Sequence, residues 1–285
     1  MAHRAEELWP PSGAFTEVSG YRVHYLRKGD GPPLVLLHGA SGNLRDFTFR
    51  LVDNLAERWD VIAFDRPGNG YSERFPGAHS PHAQADHLRH ALRALGVDRA
   101  TVLGQSMGGA VAVTWACDAP GSVAGLCLVS APSHRWEGTA GRLYEAVDLP
   151  LIGPLLARAY PALASKSLVR DALERIFAPD PVPEGYEEHI GPGLALRPHT
   201  VRANAADISR LKPYLIRQAP KYATLPMPIE IVHGRADTIV PLSIHSEPLH
   251  RAAPTARLVA LEDTGHMPHH TRPEQILAAL ERLRP

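Results

Sequence analysis

Two cysteines in 285 residues leave little material for a disulfide framework. Cys117 and Cys127 sit in the apolar stretches VTWACDAP and AGLCLVSA, without metal-ligand spacing, and both read as small buried hydrophobes. Net charge is equally missing. Thirty Lys and Arg balance thirty Asp and Glu, so no electrostatic footprint points to nucleic acid or to an anionic membrane surface. The expected partner is a small, roughly neutral molecule. No apolar run reaches the roughly eighteen residues of a membrane span, and the opening MAHRAEELWPPSG has no apolar core of a signal peptide. A cytoplasmic protein, monomer or homodimer, is expected. HExxH spacing is absent, and DRPGNGYS has Gly68 and Gly70 but neither the third glycine nor the helix opening of a dinucleotide loop. Neither a metal nor a cofactor is therefore expected, and DRPGNGYS reads as a structural turn.

What is present is an alternation of apolar runs and helical patterns, the signature of a largely parallel sheet with helices on both faces. AFTEVSG and YRVHYLRKG come first with no helix between them and read as an antiparallel edge hairpin. PLVLLHG (33–39), DVIAFD (60–65), ATVLGQ (100–105), VAGLCLVSA (123–131), MPIEIVHG (227–234) and ARLVALED (256–263) follow as further strands, making eight. Helices are expected near Arg45 to Glu57, Pro81 to Leu95, Met107 to Ala119 and Pro273 to Arg284. Residues 132–226 break the alternation with Pro-, Ala- and Leu-rich helical patterns near GRLYEAVDL, LIGPLLARAY, KSLVRDALERIFA and HTVRANAADISRLKPYLIRQA. A structureless loop of that length is improbable in a compact domain, so this segment is expected to be a helical insertion on a core formed by 1–131 and 227–285. Its basic residues, interleaved with acids, read as a solvated face.

One hydroxyl stands out. LGQSMGG places Ser106 between Gly104 and Gly108 where an apolar strand ends and a helix begins. This G-x-S-x-G turn projects a serine from the carboxyl end of a sheet. A serine hydroxyl is a poor nucleophile at neutral pH and needs a base, a group orienting that base, and donors for an oxyanion. Asp237 in HGRADTIVP and His266 in EDTGHMPHH both follow strands, and the backbone N–H groups of Met107 and Ala40 lie at a helix start and a strand-end turn. Blander readings compete: Ser106 as a turn residue, Asp237 as a cap or Asx-turn, and His269 or His270 in place of His266. His38 and His233, each before a glycine at a strand end, read as loop braces.

LLHGASGN, DRPGNGYS, GQSMGG, HGRADTIVP and GHMPHHTRPE, in that order, resemble the signature blocks of the α/β-hydrolase superfamily, in the branch carrying a helical cap after the sixth strand. The likeness runs from about Ala14 to the C-terminus and is unspecific mainly over the cap. It implies an eight-stranded, mostly parallel sheet with Ser106 as nucleophile, His266 as base and acid, Asp237 orienting the imidazole, and Ala40 and Met107 as the oxyanion hole. A serine at the elbow excludes the relatives that attack with a carboxylate, the haloalkane dehalogenases and epoxide hydrolases. The leading expectation is hydrolysis of carboxylic esters, thioesters or lactones of small to medium lipophilic substrates. A carbon-carbon bond hydrolase with the same triad and a slow-turnover ligand receptor on the same fold are the alternatives.

Overall fold

The apolar runs become the strands of one sheet. The structure, a computed structural model, describes residues 2–139 and 141–285. β1 (Ala14–Val18) and β2 (Tyr21–Lys28) form the edge hairpin, turning through Ser19 and Gly20 at positive φ. β3 (Pro33–Leu37), β4 (Asp60–Phe64), β5 (Ala100–Gln105), β6 (Val123–Val129), β7 (Ile229–Gly234) and β8 (Ala256–Leu261) complete eight strands in the order β1-β2-β4-β3-β5-β6-β7-β8. Only β2 runs against the rest. Because β4 and β5 flank β3 on opposite sides, the winding reverses at β3, and the crevice beyond the carboxyl ends of β3 and β5 is where such sheets hold ligands.

Side chains alternate across the sheet with period two. Val35 and Leu37 face the layer of α4 (Pro81–Ala94), α5 (Met107–Asp118) and α13 (Ser246–Ala252), where Leu88, Val111 and Leu249 are buried. Leu34 and Leu36 face α2 (Arg45–Thr48), α3 (Val52–Ala56) and α14 (Pro273–Leu283), against Phe47, Leu55 and Leu280. The single helix expected from Arg45 to Glu57 is thus two short ones. At the end of α2, Thr48 Oγ1 donates to Arg45 O (3.3 Å), a side-chain bond of the kind that competes with a continuing helix. The N-terminal α1 (Ala2–Leu8) abuts α10 (Pro192–Ala195).

Between β6 and β7 the chain is helical: α6 (Arg142–Asp148), α7 (Gly153–Leu163), α8 (Lys166–Phe177), α9 (Tyr186–Ile190), α10, α11 (Pro198–Ser209) and α12 (Leu211–Gln218). The pattern at HTVRANAADISRLKPYLIRQA, read as one helical stretch, is two helices broken at Arg210. Pro213 lacks an N–H, and its ring would meet the carbonyl of Ser209 in a continuous helix. The short α9 and α10, separated by the left-handed Gly191, were not expected. The reading of this segment's basic residues as a solvated face holds for most of them, Arg142, Arg158, Arg170 and Arg175 included, but Arg197 is only 3% exposed and the acid Asp207 is 0% exposed. Asp207 is paired with Arg66 and Arg74, and Arg197 with Glu6 and the carbonyl of Gly70, so each charge is neutralised by the core or α1.

Candidate active site

β5 ends at Gln105 and α5 begins at Met107, so Ser106 alone makes the turn. Its backbone lies at φ 50, ψ −120, a sparsely populated region for a residue with a Cβ. Its side chain makes no capping bond to the helix, which removes the simplest reason for a hydroxyl there. The flanking glycines permit the geometry. A Cβ on Gly104 would lie 2.4 Å from Gly108 O, and one on Gly108 would lie 2.0 Å from Leu37 O. Strand β5, helix α5 and the end of β3 are therefore in backbone contact, with Leu37 paired to Gly104 in register. This brings the turn after β3 beside Ser106. Among the described residues the backbone N–H groups of Ala40 and Met107 have no hydrogen-bond partner, and both residues line one cavity with Ser106.

His266 arrives on the same cavity from the loop after β8, and Asp237, in the loop after β7, is buried beside it without lining the cavity. His266 Nδ1 donates to Asp237 Oδ2 at 2.7 Å, leaving Nε2 as the ring's acceptor. Asp237 Oδ1 accepts from the backbone N–H of Ile239 and Val240, both at 2.9 Å. Burial works to raise the Asp237 pKa, but hydrogen bonds from His233 and His266 outweigh it and hold the carboxyl well below the usual range. Asp237 is thus an acceptor-only carboxylate that fixes the imidazole's tautomer. No hydrogen bond joins His266 to Ser106 among the described residues, though both open on the cavity; such contacts are commonly long before substrate binds.

Two contacts of this pair were outside the sequence reading. His233 Nε2 donates to Val240 O (2.7 Å) and toward Asp237 Oδ2 (3.1 Å), while Ser246 Oγ lies 2.6 Å from its Nδ1. The residue read as a loop brace braces the loop of Asp237. Gln105 Nε2 donates to His266 O at 3.3 Å, tying the base-bearing loop to the residue before Ser106.

The other histidines have separate tasks. His38 is buried after β3, accepts from Arg66 N (3.0 Å) and is pushed down to about 4 by burial and the Arg66 charge. His269 and His270 turn away from Ser106 toward Asp46, with Nε2 atoms 3.1 and 2.8 Å from its two carboxylate oxygens, and Tyr186 Oη donates to Asp46 at 2.7 Å. His266 and His270 stand four apart in sequence, yet only His270 joins this cluster. Asp46, His269 and His270 offer three donor atoms close enough for a metal ion. However, the Nδ1 atoms of both imidazoles are buried without a partner, whereas ligating histidines normally donate that second N–H. Three donors on one carboxylate account for the cluster. Burial opposes the Asp46 charge, but contacts with both histidines keep its pKa well below the usual range, and burial pushes His270 down to about 4.

The cavity measures about 760 Å³, the scale of a site for one small molecule. Its floor is the strand-end loops carrying Ser106, Ala40 and His266, and its walls come mostly from α6–α11, including Tyr144, Val147, Tyr160 and Leu173. Among the described residues its lining contains no Lys or Arg, while Asp46 and Glu137 are its acids.

An α/β sheet with a deep site at its carboxyl edge, a strained serine at a strand–helix turn and a buried carboxylate–imidazole pair defines a hydrolase-fold enzyme. Residues 32–273 match the family model described as the alpha/beta hydrolase fold, and the chain belongs to that family. It is 29% identical to an uncharacterised protein of Mycobacterium tuberculosis over 97% of this chain and 82% of that one. It is 28% identical to the 2-hydroxymuconate semialdehyde hydrolase of Pseudomonas putida over 92% of this chain and 90% of that enzyme. Its backbone is similar to the crystal structure of esterase RhEst1 from Rhodococcus sp. ECU1013, with a TM-score of 0.72 and 24% identity, covering 94% of this chain and 96% of the esterase.

Proposed function

We propose that this protein is a serine hydrolase that cleaves carboxylic esters, thioesters or lactones of small to medium, uncharged, lipophilic substrates through an acyl-enzyme. Ser106 Oγ attacks the carbonyl carbon as His266 Nε2 takes its proton. Asp237 holds the opposite ring N–H and stabilises the imidazolium. The carbonyl oxygen, now negative, accepts from the N–H groups of Ala40 and Met107. Collapse of the tetrahedral species breaks the bond to the leaving oxygen or sulfur, which departs with the proton from His266. Water then repeats the sequence on the acyl group and releases the acid. Residues 132–226 serve as a cap that excludes bulk water from this chemistry.

The observation that carries the choice of substrate is the lining of the cavity. The carbon-carbon bond reading concerns dienoic or diketo acids, whose carboxylate needs a cationic anchor, and the described lining supplies two acids and no Lys or Arg. The family includes enzymes of both kinds, so the lining and not the fold favours the ester. The test is turnover of p-nitrophenyl esters by the wild type and labelling by a fluorophosphonate. Ser106→Ala is expected to lose labelling and about 10⁶-fold in kcat. Full activity in that variant, or label on another residue, overturns the assignment, while labelling without turnover supports the receptor reading.

A further inference from the structure

The helical insertion reaches the turn after β3 with more than apolar contacts. Asn204 and Asp207 stand one turn apart on α11 and project from the same face into the core. Both are buried. Asn204 Oδ1 accepts from the backbone N–H of Ser41 at 2.7 Å, and its amide is oriented by Nδ2 donating to Thr200 O at 3.0 Å. Asp207 Oδ2 accepts from Arg66 Nη1 at 3.0 Å and from Gln84 Nε2 at 3.0 Å, and its Oδ1 accepts from Arg74 Nη2 at 2.8 Å. Arg66 is completely buried, and its guanidinium is spent on the same turn: Nε donates to His38 O (2.8 Å) and Nη2 to Gly39 O (3.0 Å). His38 Nδ1 also donates to Gly39 O, at 2.8 Å.

These bonds bear on one peptide plane. Gly39 C=O and Ala40 N–H belong to the same trans peptide, so they point in opposite directions. Anchoring the carbonyl on Arg66 and His38 turns the Ala40 N–H the other way, on a residue that lines the cavity and whose N–H has no partner among the described residues. The next peptide is held independently by Asn204 on Ser41 N–H. We infer that Arg66, Asp207 and Asn204 are positioning residues that aim the Ala40 N–H at the developing oxyanion, and that α11 thereby completes the oxyanion hole as well as covering it. The inference rests on the serine-hydrolase reading for its chemistry, while the aim of the peptide is a property of the fold.

A misplacement of about 1 Å at a reacting centre costs about 10²-fold, and deletion of one oxyanion donor costs about 10²–10³-fold. Loosening the support without removing the donor is therefore expected to cost about 10- to 100-fold, in kcat and not in KM. The test compares wild type with Asn204→Ala, Asp207→Asn and Asp207→Glu on a p-nitrophenyl ester. A trifluoromethyl ketone, which forms an oxyanion adduct with a serine, and the matching ether, which cannot, serve as inhibitors. The expected result is a lower kcat with KM within about threefold and a loss of ketone affinity parallel to kcat/KM. Ether affinity should be unchanged, and Asp207→Glu should recover part of the loss. Unchanged kcat overturns the inference. So does an equal weakening of both inhibitors, which would mark a collapsed cavity, or a loss that disappears when assayed further below each variant's Tm. Should the wild type hydrolyse no ester and take no fluorophosphonate, the hydrolase reading fails separately. The positioning is then read by amide hydrogen exchange, with faster exchange at Ser41 in Asn204→Ala expected and unchanged exchange overturning it.

Discussion

Gly108→Ala adds one methyl group where the structure has no room for it. The new Cβ would sit 2.0 Å from Leu37 O and 2.5 Å from His38 O. Both atoms are backbone, so no side chain can rotate aside. Reaching even 3.0 Å requires the start of α5 and the end of β3 to separate by about 1 Å. The Met107 N–H moves with one and the Ala40 N–H with the other, so the gap between the two proposed oxyanion donors widens by a similar distance. Such a displacement is expected to lower kcat/KM about 10²-fold. Stability changes less, because overpacking costs about 1–3 kcal/mol while Ala in place of Gly inside a helix returns about 1 kcal/mol. The assay is steady-state hydrolysis of a p-nitrophenyl ester beside thermal unfolding, with Gly121→Ala as control, since a Cβ there meets nothing within 4 Å. A folded Gly108→Ala enzyme with wild-type kcat/KM would refute the reasoning, as would an equal loss in Gly121→Ala.

Other outcomes follow from the same geometry. His266→Ala is expected to be inert, whereas His269→Ala and His270→Ala should keep fluorophosphonate labelling at Ser106 and lose about 1–3 kcal/mol of stability, because each leaves a polar partner buried on Asp46; the reverse pattern would reassign the base. His38, His270 and His245, a buried residue of the cavity lining, are each pushed down to about 4, chiefly by burial, so folding favours their neutral forms. The unfolded chain binds these protons near pH 6.5, so the stability is complete above that pH and is lost as pH falls toward 4. Each site contributes on the order of 3 kcal/mol, and a Tm flat between pH 7 and 4.5 would contradict it. An acyl chain ending in a carboxylate should be hydrolysed at least about 10²-fold less efficiently than its neutral isostere, because the described lining offers that charge no Lys or Arg. Across neutral esters kcat/KM should rise and then fall as the acyl chain fills about 760 Å³, and a monotonic rise into long chains would show that the cavity does not bound the substrate.

The sequence by itself determined the sheet and the turns that matter most. Short apolar runs bounded by turn signals, such as PLVLLHG, fit strands buried on both faces, and GQSMGG between an apolar run and a helical pattern fits a strand-to-helix turn. These are local constraints, each contained in a few consecutive residues. The supports of the site were not legible in that way. Arg66 lay in a segment read only as a structural turn, and nothing along the chain marked Asn204 or Asp207, until folding joined residues 141 positions apart around Asp207. His233 and the Asp46–His269–His270 cluster were likewise ambiguous, since a histidine's partner is a neighbour in space. Within the helical segment, the break at Arg210 turned on how Pro213 meets the preceding turn. Periodicity and turn chemistry are written along the chain, whereas the direction of a buried side chain depends on which distant donor or acceptor the packed core brings within about 3 Å, and only the tertiary structure decides that.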